Sequence, residues 1–236
     1  CPDLSAEAKA ALEAAGRPPI NLVTIGSDDR KIEVGNEVVM FRHEKTFYHP
    51  PGLMVRVKDT EPPDAIVASV EEVANYSVER VGMSLTMNGI AVENDSKDAS
   101  TFAKCVETIR SKTSLPIVLM SSNPSAIAAA LEGHAKDKPL IYAATKDNAE
   151  QMAELALKYK CPLAVFEPTG LSELAEVVER VTKAGVEDVT LDPGNRGFRA
   201  SLETLTQLRR LALKKSFQPL GYPIITFPGE GTESVE

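Results

Sequence analysis

The sequence predicts a parallel α/β fold and, within that class, an eight-stranded (β/α)8 barrel of the TIM type. Seven short apolar segments alternate with six amphipathic segments at a spacing of about 25 residues. The apolar segments are nearly continuous runs, as in strands that are buried on both faces of a parallel sheet. None of them is followed by Gly-x-Gly-x-x-Gly, which disfavours the alternative, a doubly wound dinucleotide-binding sheet.

The predicted strands share a high content of Val, Ile and Leu. They cover residues 53–57, 89–93, 116–120, 140–143, 162–166, 189–192 and 223–227. The predicted helices share an apolar face with a period of 3.6 residues. Four of them cover residues 64–75, 98–111, 171–184 and 201–214. A fifth begins at Pro124, with Ser122 or Asn123 as its cap, and a sixth runs from Thr145 or Asp147 to Tyr159. An eighth strand is missing, so we expect an incomplete barrel whose polypeptide continues beyond Glu236.

The residues before this alternation predict a short helix followed by a β-hairpin. Ser5 is placed to cap the helix, and the two prolines at 18–19 form a stiff linker. Two alternating runs, residues 31–34 and 37–41, flank Gly35-Asn36, a pair that is typical of a two-residue hairpin turn.

Composition excludes several functional classes. The chain has 236 residues, a formal net charge of −8 and a pI near 5.1, and no basic stripe that could neutralise phosphates, so nucleic acid is not expected as a partner. No apolar run approaches about 20 residues, which argues against a membrane protein. The first residues lack the basic and apolar regions of a signal peptide, and three distant cysteines imply no disulfide framework. We therefore expect a cytoplasmic protein.

In barrel enzymes the site lies at the carboxyl ends of the strands, which we call the mouth. The mouth positions of this chain are polar and acidic, without histidine or cysteine: 58–59, 93–95, 121–123, 145, 167, 192–195 and 228–231. Carboxylate and amide groups can hydrogen-bond a heterocycle with several donors and acceptors, such as a pterin. The run LDPGNRGF at 191–198 is similar to the Asp-Pro-Gly segment of pterin-binding barrels, namely dihydropteroate synthase and the methyltetrahydrofolate methyltransferases. The candidate pterin-binding residues are Glu93, Asn94, Asp192 and Asn195.

A simpler interpretation of that run needs no ligand. Asp192 ends a strand, Pro193-Gly194 makes the turn, and Asn195 is a turn residue. A pterin-binding barrel methyltransferase that transfers a one-carbon group is therefore the alternative function, and Asp192→Ala should abolish its pterin binding. Two features count against it, which are the missing eighth strand and the absence of an acid with an obvious partner that would tune its pKa.

Other candidate side chains have structural explanations. Cys105 lies on the apolar face of its helix and Cys161 begins a strand, so both are expected to be core residues. His43 and His49 lie in the loop FRHEKTFYHP, which has neither helical nor strand period. We expect this loop to pin the hairpin to the barrel or to contact a partner rather than to bind metal. Residues 209–210 and 214–215 are cations near a helix end, which indicates a solvated face matched to the helix dipole, with partner docking as the second interpretation.

The stretch 21–50, NLVTIGSDDRKIEVGNEVVMFRHEKTFYHP, and the start CPDLSAEAKAAL carry a resemblance to a known family. The chain resembles the central part of the large (gamma) subunit of the corrinoid iron-sulfur protein of the carbon monoxide dehydrogenase/acetyl-CoA synthase (acetyl-CoA decarbonylase/synthase) system. The resemblance implies a methyl carrier. A corrinoid cobalt would take the methyl group from a methyl-tetrahydropterin through a methyltransferase, and deliver it to acetyl-CoA synthase in the reductive acetyl-CoA (Wood-Ljungdahl) pathway.

The resemblance also implies a domain organisation. Residues 1–19 would end an N-terminal 4Fe-4S module and its linker, and residues 20–236 would form the barrel domain, with the hairpin in 20–50, the barrel from 53, and truncation before the last strand. Cys1, which a proline and a short acidic helix follow, would be the fourth cluster ligand. A C-terminal corrinoid domain would lie outside this chain.

Within this chain, neither the corrinoid nor the cluster is expected to be bound, and the barrel is not expected to be catalytic. The implied partners are a small corrinoid iron-sulfur protein subunit that completes a heterodimer, the methyltetrahydropterin methyltransferase, and acetyl-CoA synthase/carbon monoxide dehydrogenase. Neither nucleic acid nor a membrane is expected.

Overall fold

The computed structural model describes residues 5, 8–9, 12 and 16–230. The strands within this part are β1 (Val23–Ile25), β2 (Ile32–Val34), β3 (Met54–Lys58), β4 (Ser77–Arg80), β5 (Met83–Thr86), β6 (Gly89–Glu93), β7 (Ile117–Met120), β8 (Leu140–Ala144), β9 (Leu163–Phe166) and β10 (Val189–Asp192). The α-helices are α1 (Pro63–Asn75), α2 (Ala99–Lys112), α3 (Pro124–His134), α4 (Ala149–Tyr159), α5 (Leu171–Lys183) and α6 (Phe198–Lys215). None of these helices is both long and apolar enough to cross a membrane.

Six strands form one parallel sheet in the order β3-β6-β7-β8-β9-β10. Apart from the small β4-β5 hairpin, each neighbour in the sheet is also the neighbour in sequence, with one helix in between. This is the strand order of a (β/α)8 barrel, and it confirms the predicted parallel α/β class. The predicted strand at 223–227 adds to the same edge through a parallel bridge between Ile224 and Leu191, and the amide of Ile225 donates to the Leu191 carbonyl at 3.0 Å.

The sheet separates two apolar cores, because successive side chains of a strand point to opposite faces. In β7, Ile117 and Leu119 belong to the outer core between sheet and helices. Val118 and Met120 belong to the inner core, which the sheet encloses. Burial of both faces explains the continuous apolar runs in the sequence.

The hairpin formed by β1 and β2 closes the inner core at the amino ends of the sheet strands. Val23 is fully buried in the inner core, and Ile25 and Ile32 are also buried there. The amide of Gly26 donates to the carbonyl of Lys138, just before β8, at 2.9 Å. Because the hairpin fills the amino end of the inner core, the open end is the carboxyl end, which is the mouth.

Side chains join the two edges of the sheet. Arg56 of β3 forms a salt bridge with Glu230, which follows the 223–227 segment and is 174 positions away in sequence. The guanidinium of Arg56 also lies over the Phe227 ring, 5.8 Å from its centroid. The sheet therefore curls until its first and last segments are within side-chain reach of each other.

The location of the predicted hairpin turn is wrong. Residues 32–34 pair with 23–25 in antiparallel register, and residues 37–41 form no strand, with Glu37 in an isolated bridge to Ile20. Gly35 and Asn36 do have positive φ angles of 99° and 55°, but they lie just after β2. A Cβ on Gly35 would lie 1.9 Å from the Asn21 carbonyl oxygen, so close backbone approach is what requires glycine there.

A second hairpin, β4-β5, is not predicted from the sequence at all. It turns at Val81-Gly82, with positive φ at both residues, and Val81 is 99% exposed. Both strands are mostly exposed, so no buried face imposes a clear apolar alternation on their sequence. Of the predicted first helix, the structure describes residues 5, 8–9, 12 and 16, and the Ser5 hydroxyl accepts a hydrogen bond from the Ala8 amide at 3.2 Å.

Of the two predicted caps of α3, the structure shows Asn123 and not Ser122 in that role. This cap gives a first testable prediction. The Asn123 side chain accepts a hydrogen bond from the Ser125 amide at 2.9 Å. Asn123→Ala should lower the free energy of unfolding by about 1 kcal/mol, since an orphan amide of the first turn loses its acceptor. Ser122→Ala is the matched control, because Ser122 contributes only its carbonyl, to Asn148. Urea unfolding of both variants measures the difference, and equal stability would contradict the assignment.

Candidate functional site at the barrel mouth

The mouth is built from inward-facing positions at the carboxyl ends of the sheet strands. Arg56 of β3, Glu93 of β6, Tyr142 of β8 and Asp192 of β10 meet there. The loop after β10 adds Arg196. In these strands they alternate with residues such as Val57, Val92 and Leu191, which pack in the outer core. Because successive side chains of a strand point to opposite faces, the polar ones point into the mouth.

Asp192 is the hub of this mouth, and it is 1% exposed. Arg196 binds it with both terminal nitrogens, at 3.0 Å to Oδ1 and 2.9 Å to Oδ2. The Tyr142 hydroxyl donates to Oδ2 at 2.6 Å, and the Gly194 amide donates to Oδ1 at 2.8 Å. Four hydrogen bonds therefore compensate the buried carboxylate.

Glu230 connects this hub to the opposite edge of the sheet. Its Oε2 accepts from Arg196 Nε at 2.6 Å, and its Oε1 pairs with Arg56. Arg56 Nε lies 3.5 Å from Oε2 of Glu93. Arg196 lies over the Phe227 ring, 4.9 Å from its centroid, so both guanidinium groups contact the same aromatic ring.

The surroundings of these groups shift their pKa values. Burial, together with the charge and the hydrogen bond of Asp192, raises the pKa of Tyr142 far above its usual range. The hydrogen bonds to Asp192 raise the pKa of Arg196, so both side chains keep their protons at neutral pH. Burial opposes ionisation of Glu230, but the hydrogen bonds and charges of Arg196 and Arg56 together outweigh it and lower the pKa of that carboxyl.

A second polar cluster lies beside the first, around Asp59 and Asn94, which are both buried. Ser96 donates to Asp59 from its amide at 2.8 Å and from its hydroxyl at 2.6 Å. The Asn94 amide nitrogen donates to the Ser121 hydroxyl at 2.9 Å. These bonds stabilise the loops after β3, β6 and β7.

The structure separates the four candidate pterin residues between these clusters. Glu93 and Asp192 belong to the arginine network, whereas Asn94 belongs to the serine cluster. Asn195 contributes its backbone carbonyl, which accepts from Ser201 Oγ at 3.2 Å. The prediction that the mouth lacks an acid with a partner that tunes its pKa is wrong, because the hydrogen bonds and charges of Arg196 and Arg56 outweigh burial and lower the pKa of Glu230.

Sequence reasoning missed three side chains of the mouth, which are Arg56, Tyr142 and Arg196. The alternation of β3 gives a signal for Arg56, since an arginine between Val55 and Val57 in a buried strand must face the mouth or solvent. Tyr142 and Asp192 are 50 positions apart, and no local pattern joins them.

The candidate metal and cysteine residues have distinct places. Cys1 lies outside the described residues. In the part that is described, no three His, Cys, Asp or Glu side chains form a group that could hold a metal ion. His43 stacks on Phe41, with ring centroids 5.6 Å apart, and His49 Nδ1 lies 3.8 Å from Glu33. Cys105 and Cys161 are free thiols buried in the outer core, as predicted.

These two thiols give a prediction of pH dependence. Burial raises the pKa of Cys105 to about 11 and that of Cys161 to about 12, from an ordinary 9.0. Their contribution to stability is complete below about pH 9 and falls as the pH rises, since the unfolded chain then loses thiol protons that the native state retains. Urea unfolding between pH 8 and about 11 should show a shallower decline for Cys105→Ala than for the wild type. Identical slopes would contradict the prediction.

Comparison with known proteins places this chain in a family. Residues 22–235 match the family model CdhD, described as the CO dehydrogenase/acetyl-CoA synthase delta subunit. The chain is 41% identical over 225 residues to the corrinoid/iron-sulfur protein large subunit of Moorella thermoacetica, a match that covers 95% of this chain and 50% of that protein. It is 34% identical over 231 residues to the acetyl-CoA decarbonylase/synthase complex subunit gamma of Methanothermobacter thermautotrophicus, with 97% and 50% covered.

The chain thus spans about half the length of the curated relatives that it matches. Among solved structures, a Yersinia pestis DHPS with a pterine-sulfa conjugate has a TM-score of 0.49 and 18% identity, covering 74% of this chain and 71% of that one. That likeness is below the level that bears on fold or function. The family match and the identity of the curated relatives agree with the resemblance of the 21–50 stretch, and the chain belongs to the CdhD family of CO dehydrogenase/acetyl-CoA synthase subunits.

Proposed function

We propose that this chain is the barrel segment of a methyl-carrier subunit, the large subunit of a corrinoid iron-sulfur protein. The observation that carries the proposal is its 41% identity, across 95% of its length, to a protein of that name. In the full polypeptide, the corrinoid cobalt would accept a methyl group from a methyl-tetrahydropterin through a methyltransferase and pass it to acetyl-CoA synthase, in the reductive acetyl-CoA pathway. The barrel would be the scaffold that holds the cofactor modules.

The mouth supports a scaffold role for the barrel. Both carboxylate oxygens of Asp192 are already hydrogen-bonded to groups of the chain itself. Glu230 forms salt bridges with both Arg56 and Arg196. A substrate would have to displace these bonds before it could reach the polar groups. The network instead stabilises the curled sheet, because it joins the first strand to the segment after the last one.

The cofactor assignments belong to the same proposal. We assign the iron-sulfur cluster to Cys1 together with cysteines outside this chain, with residues 1–19 as the end of that module and residues 20–236 as the barrel domain. Thiolates are the usual ligands of such clusters. Cys105 and Cys161 are packed in the outer core, and among the described residues neither belongs to a group of three metal-ligating side chains. The corrinoid would lie in a further domain. The cluster, when bound, would return oxidised cobalt to its reactive reduced state.

The partners follow from the proposed role. We propose a heterodimer with the small corrinoid iron-sulfur protein subunit, and transient contacts with the methyltransferase and with acetyl-CoA synthase/carbon monoxide dehydrogenase. A carrier must present one cofactor to several sites, so its modules should move relative to the barrel. Free buried thiols at Cys105 and Cys161 fit a reducing compartment and support the cytoplasm as the location.

Metal analysis tests this proposal. The full-length native protein, purified without oxygen together with its partner subunit, should contain stoichiometric cobalt together with iron and acid-labile sulfide. A Cys1→Ala variant should lose iron and keep cobalt, whereas the matched control Cys105→Ala should keep both. A wild-type protein without cobalt and iron would refute the carrier role, and a Cys1→Ala variant with full iron would refute the ligand assignment.

The alternative is a pterin-binding barrel methyltransferase that uses Glu93, Asn94, Asp192 and Asn195. It requires that a pterin replace Arg196 or Tyr142 as the partner of Asp192. Titration of the wild type and of Asp192→Asn with a reduced pterin separates the two functions. Binding that the substitution abolishes would support the alternative, and no binding by the wild type would exclude it.

A further inference from the structure

Glu230 differs from Asp192, the other carboxylate bound to Arg196, in its contacts and in its exposure to solvent. The side chain contacts shown for its carboxylate are those to Arg56 and Arg196, which come from opposite edges of the sheet. Its own backbone belongs to a turn, in which its amide donates to the Phe227 carbonyl at 3.0 Å. The side chain is 30% exposed, whereas that of Asp192 is 1% exposed.

The two arginines are held by other groups as well. Arg196 is fixed by the two-pronged bond to Asp192, and Arg56 starts from a paired position in β3 and contacts Glu93. Both guanidinium groups lie over the Phe227 ring, at 4.9 Å and 5.8 Å. Removal of Glu230 would therefore leave the donors close to their present places. The two arginines are thus positioned independently of Glu230, whereas the Glu230 carboxylate is paired with both of them.

The charges of the mouth agree with this division. Five ionised side chains meet there, two arginines and three carboxylates. Without Glu230 the remaining four charges balance, and two guanidinium groups point unused N–H donors at one position. Planar guanidinium forks bind a carboxylate particularly well, because both oxygens can accept at once.

We infer that Arg56 and Arg196 form a carboxylate-binding site at the barrel mouth, that Glu230 occupies it as an internal ligand, and that an external carboxylate takes its place when the segment after Phe227 moves away. The inference goes beyond the proposed carrier function and does not depend on it. Residues 228–230 then act as a closure over the mouth. The position of this segment depends on whether Glu230 or an external carboxylate is bound to the two arginines.

Chemical rescue tests the site. Glu230→Ala should bind acetate at least about tenfold more tightly than the wild type, measured as the acetate-dependent rise in Tm against chloride at equal ionic strength. Glu203→Ala is the matched control, since Glu203 pairs with an arginine on an exposed helix face, and it should show no gain. The gain should vanish in Arg56→Ala/Glu230→Ala. A folded Glu230→Ala that binds acetate no better than the wild type, or binding that persists in the double variant, would overturn the site.

Hydrogen exchange tests the closure separately. Glu230→Gln keeps the shape of the side chain and removes its charge, so it preserves packing while weakening both contacts. The backbone amides of Gly229 and Glu230 should exchange about tenfold faster than in the wild type, while those of β7 should not change. Unchanged exchange at these two amides would overturn the closure. Neither result involves cobalt or iron, so failure here is distinguishable from failure of the carrier role.

Discussion

Replacement of Asp192 by alanine should destabilise the protein by about 3–4 kcal/mol, the largest effect that we expect of any mouth residue. Asp192 is 1% exposed and accepts hydrogen bonds from Arg196, Tyr142 and the Gly194 amide. Alanine would leave the Tyr142 hydroxyl and Nη2 of Arg196 without their acceptor, while Nη1 of Arg196 would keep the Asn195 carbonyl. A lost partner costs more than the bond itself contributes, since the desolvation of the remaining group is then uncompensated.

Urea unfolding of three variants isolates this cause. Asp147→Ala removes an exposed carboxylate just before α4, and it should change stability by no more than about 0.5 kcal/mol. Asp192→Asn keeps the shape and one acceptor oxygen, so its cost should be intermediate. In Asp192→Ala/Arg196→Met both partners are removed, and the loss should be smaller than the sum of the two single losses.

Additive losses in that double variant would show that Asp192 and Arg196 act independently. The hub would then not be the unit that the geometry indicates. If Asp192→Ala lowers the free energy of unfolding by less than about 1 kcal/mol, water reaches the mouth readily. In that case a soluble ligand could also reach it, which would favour the pterin alternative.

The fold was predictable from the sequence because its signals are local. Gly89–Glu93 is predicted with the same bounds that the structure shows, since a strand buried on both faces must be apolar at every position. The start of α3 follows from Asn123 and Pro124, a cap and a residue that fits the first helical turn. Each of these signals lies within a few residues, so one chain is enough to detect it.

The site was only partly predictable, because its contacts join distant parts of the chain. Asp192 and Glu93 could be placed at the mouth from the ends of their strands, but their partners could not. Arg56 and Glu230 are 174 positions apart, and only the curl of the sheet brings them together. The same holds for Arg209, which is predicted as part of a solvated helix face and is instead largely buried, with its side chain 19% exposed. Composition at a helix end does not reveal which loop folds over it.

Arg209 carries the second large prediction, since it holds residues 37–47, the start of the FRHEKTFYHP loop and the residues before it, on helix α6. Its guanidinium pairs with Glu37 and donates to the carbonyls of Val39, at 2.7 Å, and Met40, at 3.3 Å. It also lies over the Phe47 ring at 5.2 Å. Arg209→Ala should therefore destabilise the protein by about 2–3 kcal/mol, less than a fully buried pair because the site is partly exposed.

The loss should be concentrated in the loop rather than spread through the barrel. Hydrogen exchange should accelerate at residues 37–48, while the sheet strands keep their protection, because the loop has few other anchors. Arg209→Lys keeps the charge but has no planar fork to reach three acceptors, so it should recover only part of the stability. Arg210→Ala removes the exposed neighbour and should have little effect. If Arg210→Ala is as costly as Arg209→Ala, general charge on α6 rather than the specific contacts of Arg209 holds the loop in place.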